Sequence, residues 1–117
     1  MLVTLVRLTM IASHAHSLKE RRAVVRSIVD KVFARHKVRV AEVGGQDSWQ
    51  RIDLGFAIVG SERVQVDKVA DEILRFIEDL DLARRVDLQR EQLSFGEHRE
   101  TSDPLDGWVP EFAKDQV

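Results

Sequence analysis

Hydrophobic residues in this chain recur at two different periods, and the order of those periods most limits the folds open to it. Over residues 2–12, Val6, Leu8 and Met10 share one parity while Arg7 and Thr9 share the other, as in a strand with one buried face. Residues 18–36 switch to the helical period: Leu18, Val25, Val29 and Val32 fall on one stripe, with Ile28 beside it. Ser17 and Glu20 stand at the spacing of a capping box, which fixes where that helix starts. Period two returns at 38–43, with Val38, Val40, Ala41 and Val43, and again at 50–59. In the second of these, Ile52, Leu54, Phe56 and Ile58 oppose Arg51, Asp53, Gly55 and Ala57. A second helix is predicted over roughly 62–80, with Ser61 as its N-cap and Val66, Val69, Ile73, Phe76, Ile77 and Leu80 on its inner face. A last strand follows at 85–95, where Val86 and Leu88 differ in parity from Leu93 and Phe95, so a bulge or break is expected near Arg90.

The resulting order, βαββαβ, is the split-βαβ pattern of a ferredoxin-like α+β sandwich. Right-handed crossovers put both helices on one face of an antiparallel four-stranded sheet. The domain is expected to span residues 1–96. From 97 the text changes to an acidic segment, 97–117, in which Leu105, Trp108, Val109 and Phe112 stand among prolines and acids. Two readings of it stay open: a disordered tail, or a segment that docks its apolar residues on the uncovered sheet face or on a partner.

With 117 residues the chain suffices for one domain with a real core. It has no cysteine, which excludes disulfides, thiolate catalysis and cysteine-based zinc sites. The N-terminus lacks the pattern of a signal peptide, and no apolar run approaches the roughly 20 residues that span a membrane. A soluble, cytoplasmic protein is expected, with no membrane partner.

A net charge of −2 conceals a segregation. Residues 19–39 carry eight cations against two acids, a net of +6, whereas 97–117 carry six acids against two cations, a net of −4. Lys19, Arg22 and Arg26 lie on one flank of the first helix's apolar stripe, and Arg21, Lys31 and Arg35 on the other. The first turn is therefore cationic at an end that favours anions, and Lys19, Arg21, Arg22 and Arg26 are candidates to hold a phosphate. Alternatively, Arg21 and Arg22 lay their stems over the core edge and keep their heads in water.

His14 and His16 are two residues apart, but two imidazoles fall short of a zinc site, and no metal is expected. His16 reads as a junction residue beside the cap. Gln46, Asp47, Ser48, Trp49, Gln50 and Arg51 form a second polar and aromatic concentration. Of these, Gln46, Asp47, Trp49, Gln50 and Arg51, together with His16, are the candidate partner contacts, with Trp49 a plane on which a base could stack. The plainer alternative is a hairpin loop pinned by Asp47, with Trp49 covering the sheet edge and Arg51 paired to Asp53 or Glu42. No nucleophile–base pair, phosphate-cradling glycine loop or carboxylate dyad has recognisable spacing, so no catalytic residue and no cofactor is assigned.

Two motifs, Ala15 through Arg22 and Val40 through Arg51 continued by Leu54-Gly55, resemble in that order the YlxP-like family of small bacterial proteins. The resemblance covers residues 2 to about 93. It implies the same ferredoxin-like fold and a gene set among translation genes, hence a ribosome- or RNA-associated role by association. The first expectation is thus a non-catalytic accessory factor, with ribosomal RNA or a ribosomal subunit as partner. The alternative is a module that dimerises through its open sheet face, using Val3, Leu5, Ala57 and Val59 or the Trp108 segment. A third reading is an enzyme acting on a phosphorylated small molecule at the tip of the first helix.

Overall fold

The computed structural model describes residues 1–45 and 48–96. Six elements follow in order: β1 Leu2–Ile11, α1 Leu18–His36, β2 Ala41–Gly44, β3 Arg51–Gly60, α2 Arg63–Leu80 and β4 Arg84–Ser94. The four strands form one sheet in the order β2-β3-β1-β4, with every neighbouring pair antiparallel. This is the expected ferredoxin-like arrangement. β1 and β3 pair over their whole length, from Leu2 opposite Gly60 to Ile11 opposite Arg51.

The core lies between sheet and helices. Val6, Leu8 and Met10 of β1 and Ile52, Leu54, Phe56 and Ile58 of β3 are buried against Ile28 and Val32 of α1 and Val66, Ala70, Ile73, Leu74 and Ile77 of α2. The alternation read in the strands is therefore the division between a helix-covered face and an open one.

Three local expectations are corrected. The second strand begins at Ala41, not 38, although Val38 and Val40 still pack on or in the core. Glu62, not Ser61, occupies the N-cap of α2, and its side chain makes no capping bond; the Val66 amide donates to the Glu62 carbonyl at 3.0 Å. The irregularity in β4 lies away from Arg90, which sits in register opposite Val6. The register shifts where Thr9 and Met10 face Asp87 and Arg85, leaving Val86 as the extra residue. Leu88 and Leu93 differ in parity because they serve different faces: Leu88 pairs with buried Leu8, and Leu93 with Val3 on the open side.

β4 meets α2 through polar bonds. Arg90 donates to Asp71 at 2.5 Å and to Asp67 at 3.2 Å, and Gln92 donates to Thr4 at 3.0 Å and Asp67 at 3.1 Å. The bond to Asp71 is the main cause that holds the Arg90 pKa above its ordinary value.

Candidate functional site

The first helix starts as its residues dictate. Ser17 Oγ accepts from the Glu20 amide at 3.1 Å, and Glu20 Oε2 accepts from the His16 amide at 2.7 Å. The reciprocal bond thus falls one residue before the cap, and it employs the backbone of His16 rather than its imidazole. Both His14 and His16 are exposed.

Arg21 does not belong to the exposed cationic tip. It is 1% exposed, its Nε donates to the Arg51 carbonyl at 2.8 Å, and its guanidinium forms an ion pair with Glu42 of β2. At about 100° per residue, Arg21 lies within roughly 20° of both Ile28 and Val32, the buried residues of α1. Glu42, opposite the buried Leu54, is on the helix-covered side of the sheet and meets it there. A guanidinium spent in this way is not available to an external anion. The reading in which Arg21 lines the core edge describes its stem, but its head is paired within the protein rather than hydrated.

The remaining cations keep the expected position. Lys19, Arg22 and Arg26 are exposed and form no ion pair among the described residues. They span about 60° of the helix surface, and Phe33, 50% exposed, falls within the same sector. Lys37 Nζ lies 5.7 Å from the Phe33 ring centroid. Phe33 was missed in the sequence; its position off the apolar stripe was the signal that it faces outward. Asp30, also exposed, lies about 20° outside this sector, on its Lys19 edge.

The two motifs that carry the family resemblance adjoin in space. Arg21 bonds both Glu42 and the Arg51 carbonyl, the Ala12 amide donates to the Gln50 carbonyl at 2.8 Å, and Gln50 Nε2 donates to the Ser13 carbonyl at 3.4 Å. Ser48 Oγ accepts from the Gln50 and Arg51 amides at 3.2 and 3.0 Å and pins the loop. Gln46 and Asp47 lie outside the described residues. Of the partner-contact candidates, Gln50 and Arg51 are thus engaged within the fold, while Trp49 is 59% exposed.

On the open face, Arg51 pairs with Asp53, one of the two partners considered for it. Asp53 is 2% exposed and accepts from the Thr9 hydroxyl at 2.6 Å and Arg51 Nε at 3.3 Å, with Arg7 3.5 Å away. Burial raises its pKa, but the Thr9 and Arg51 hydrogen bonds and the charges of Arg51 and Arg7 outweigh that, and the pKa falls below the ordinary carboxylate value. Two guanidinia share the Asp53 carboxylate, and a second carboxylate, Asp87, stands opposite Thr9 on the same face. Farther along, the face is apolar: Leu5 is 42% exposed and Val59 61%, while Val43, 47% exposed, stands beside Gly55. Between the two ends lies a groove of about 580 Å³, floored by Leu5, Gly55 and Ala57 and flanked by Arg7, Arg39 and Ala41.

Among the described residues no helix is long and apolar enough to cross a membrane. The sheet order, crossovers and one-sided helix layer define a ferredoxin-like α+β domain with a basic outer helix and a second sheet face that carries no helix among the described residues. The family described as "Protein of unknown function (DUF503)" matches residues 3–90. The chain belongs to this family. It is also similar to "Uncharacterized protein YlxP" of Bacillus subtilis (strain 168), at 45% identity over 64 residues, covering 55% of this chain and 70% of that protein.

Two solved structures are more distant. A mutant of SnoaB, a cofactor-independent oxygenase from Streptomyces nogalater, aligns with 14% identity and a TM-score of 0.43, over 83% of this chain and 95% of that one. A dimeric protein of unknown function and ferredoxin-like fold from Bacteroides fragilis NCTC 9343 aligns with 14% identity and a TM-score of 0.40, over 80% and 96%. Neither likeness bears on what this chain does.

Proposed function

We propose that this protein is a non-catalytic accessory factor that binds RNA through the outer face of α1. The observation that carries this reading is the group Lys19, Arg22 and Arg26, exposed, without ion partners among the described residues, and sharing a helix sector with the exposed ring of Phe33. Unpaired cations contact phosphates and release their counterions, while an exposed aromatic ring offers a plane to an unstacked base. Trp49 is a second such plane. The gene company implied by the YlxP-like resemblance supports RNA of the translation apparatus as the partner. Arg21 takes no part in binding.

Fluorescence anisotropy with a short labelled single-stranded RNA tests this, at low and at physiological salt. Wild type is expected to bind with an affinity that falls steeply as salt rises, and Arg22→Glu/Arg26→Glu is expected to abolish binding while leaving the fold intact. Equal binding by the two proteins at low salt overturns the assignment.

A further inference from the structure

The open sheet face is a large surface that no helix among the described residues covers, and its chemistry is asymmetric. Val3, Leu5, Ala57, Val59 and Leu93 make one end apolar; Arg7 of β1, Arg39 and the Arg51–Asp53 pair give the β2–β3–β1 part of the other end an excess of positive charge, while Asp87, opposite Thr9, adds a carboxylate on the β4 side. Glu91 lies on the β4 side of the same groove. Small residues at Ala41, Gly55 and Ala57 make the centre concave, so a bulky side chain could enter where none is supplied by the sheet. An occupant that fits has aromatic or aliphatic anchors spaced among acids.

Such a segment follows in the same chain. Residues 103–112 read Asp-Pro-Leu-Asp-Gly-Trp-Val-Pro-Glu-Phe, within a stretch of net charge −4. β4 ends at Ser94, opposite Leu2, so the chain leaves the sheet at the apolar end of the open face. Phe95 and Gly96 follow, and Gly96 has φ +73°, a left-handed conformation that glycine adopts without strain and that turns the chain at this point. From Gly96 to Trp108 the chain can reach about 40 Å if extended. Gly55 lies five positions along β3 from Gly60, about 17 Å. The intervening residues are more than long enough for Trp108 to arrive over the groove.

We infer that residues 105–112 of this chain are the occupant of the open sheet face, with Trp108 or Phe112 over Gly55 and Ala57 and the neighbouring acids toward Arg7 and Arg39. The inference is independent of RNA binding, because α1 lies on the opposite side of the sheet. An intramolecular occupant also accounts for a large apolar face on a chain otherwise charged over its surface.

Trp49 and Trp108 are the two tryptophans of the chain, so Trp49→Phe leaves Trp108 as a single reporter. In that full-length background, acrylamide is expected to quench Trp108 several-fold less efficiently than in the same chain unfolded in urea, with blue-shifted emission at every protein concentration. Ala57→Glu should remove the protection by filling and charging the groove, and Arg39→Glu should weaken it by reversing one rim charge. Far-ultraviolet circular dichroism checks that each variant is folded. Quenching as fast as in urea overturns the inference, as does protection that survives both substitutions. Protection that disappears on dilution, in step with a dimer-to-monomer change in sedimentation, also overturns it and assigns the face to a second copy.

Discussion

The Arg21 guanidinium and the Glu42 carboxylate meet in an ion pair beneath the sheet, their side chains retaining 2% and 24% of their accessible surface. The pair ties the first turn of α1 to β2, and the further bond from Arg21 to the Arg51 carbonyl ties it to the start of β3. Removing one partner leaves a largely desolvated charge. Arg21→Ala is therefore expected to cost about 2–4 kcal/mol in urea unfolding, below the full range for buried pairs because Glu42 keeps some water. The double variant Arg21→Met/Glu42→Leu removes both charges and should recover most of that loss. A double variant no more stable than Arg21→Ala would show that the pair is not what the arginine contributes.

Asp53 makes stability depend on pH in a definite direction. Its pKa is depressed in the folded protein, so its stabilising contribution is present above the ordinary aspartate value, near 3.9, and is lost as pH falls toward and through the folded value. Wild-type unfolding free energy is expected to decline over that acidic range. In Asp53→Asn, which should lose about 1–3 kcal/mol at neutral pH, the decline should be shallower. Parallel pH profiles for the two proteins would exclude this role.

Two glycines separate close packing from open space. A Cβ on Gly60 would stand 2.6 Å from Val66 Cγ2, and Val66 is a buried, β-branched side chain with little rotamer freedom. A Cβ on Gly55 would meet Val43 at 3.2 Å, and Val43 is half exposed and able to yield. Gly60→Ala is expected to lower stability by about 1–3 kcal/mol, and Gly55→Ala by distinctly less. Thermal or urea denaturation of the pair gives the comparison.

Salt dependence counts the phosphate contacts made by α1. Each cation that releases a counterion from single-stranded RNA contributes about −0.7 to the slope of log K against log salt. Arg22→Ala and Arg26→Ala should each make the slope shallower by about that amount, whereas Arg21→Met should leave it unchanged. A change in affinity without any change in slope would mean that these side chains do not touch phosphate.

The sequence by itself determined the order of elements, the buried faces of β1 and β3, and the start of α1. These follow from local rules: side-chain period decides strand or helix, and a capping serine three residues before a glutamate satisfies the first amides of a helix. Two motifs also carried the resemblance to the family that the comparisons with known proteins show. Arg21 was the misleading residue. On the helix it occupies the angular sector of Ile28 and Val32, yet an arginine there reads as a surface cation until Glu42 is known to arrive beneath it.

Only the tertiary structure decided which charges are paired, because that depends on strand register between segments far apart in the chain. Register brought Glu42 under the sheet to Arg21, Thr9 beside Asp53, and Arg90 in line with Asp67 and Asp71. It also moved the β4 irregularity to Val86 and gave Leu93 to the open face. The cationic tip predicted from composition thereby became a narrower surface of Lys19, Arg22 and Arg26, joined by Phe33. Charge type is written residue by residue, but whether a charge faces water or a partner is settled by what folding sets opposite it.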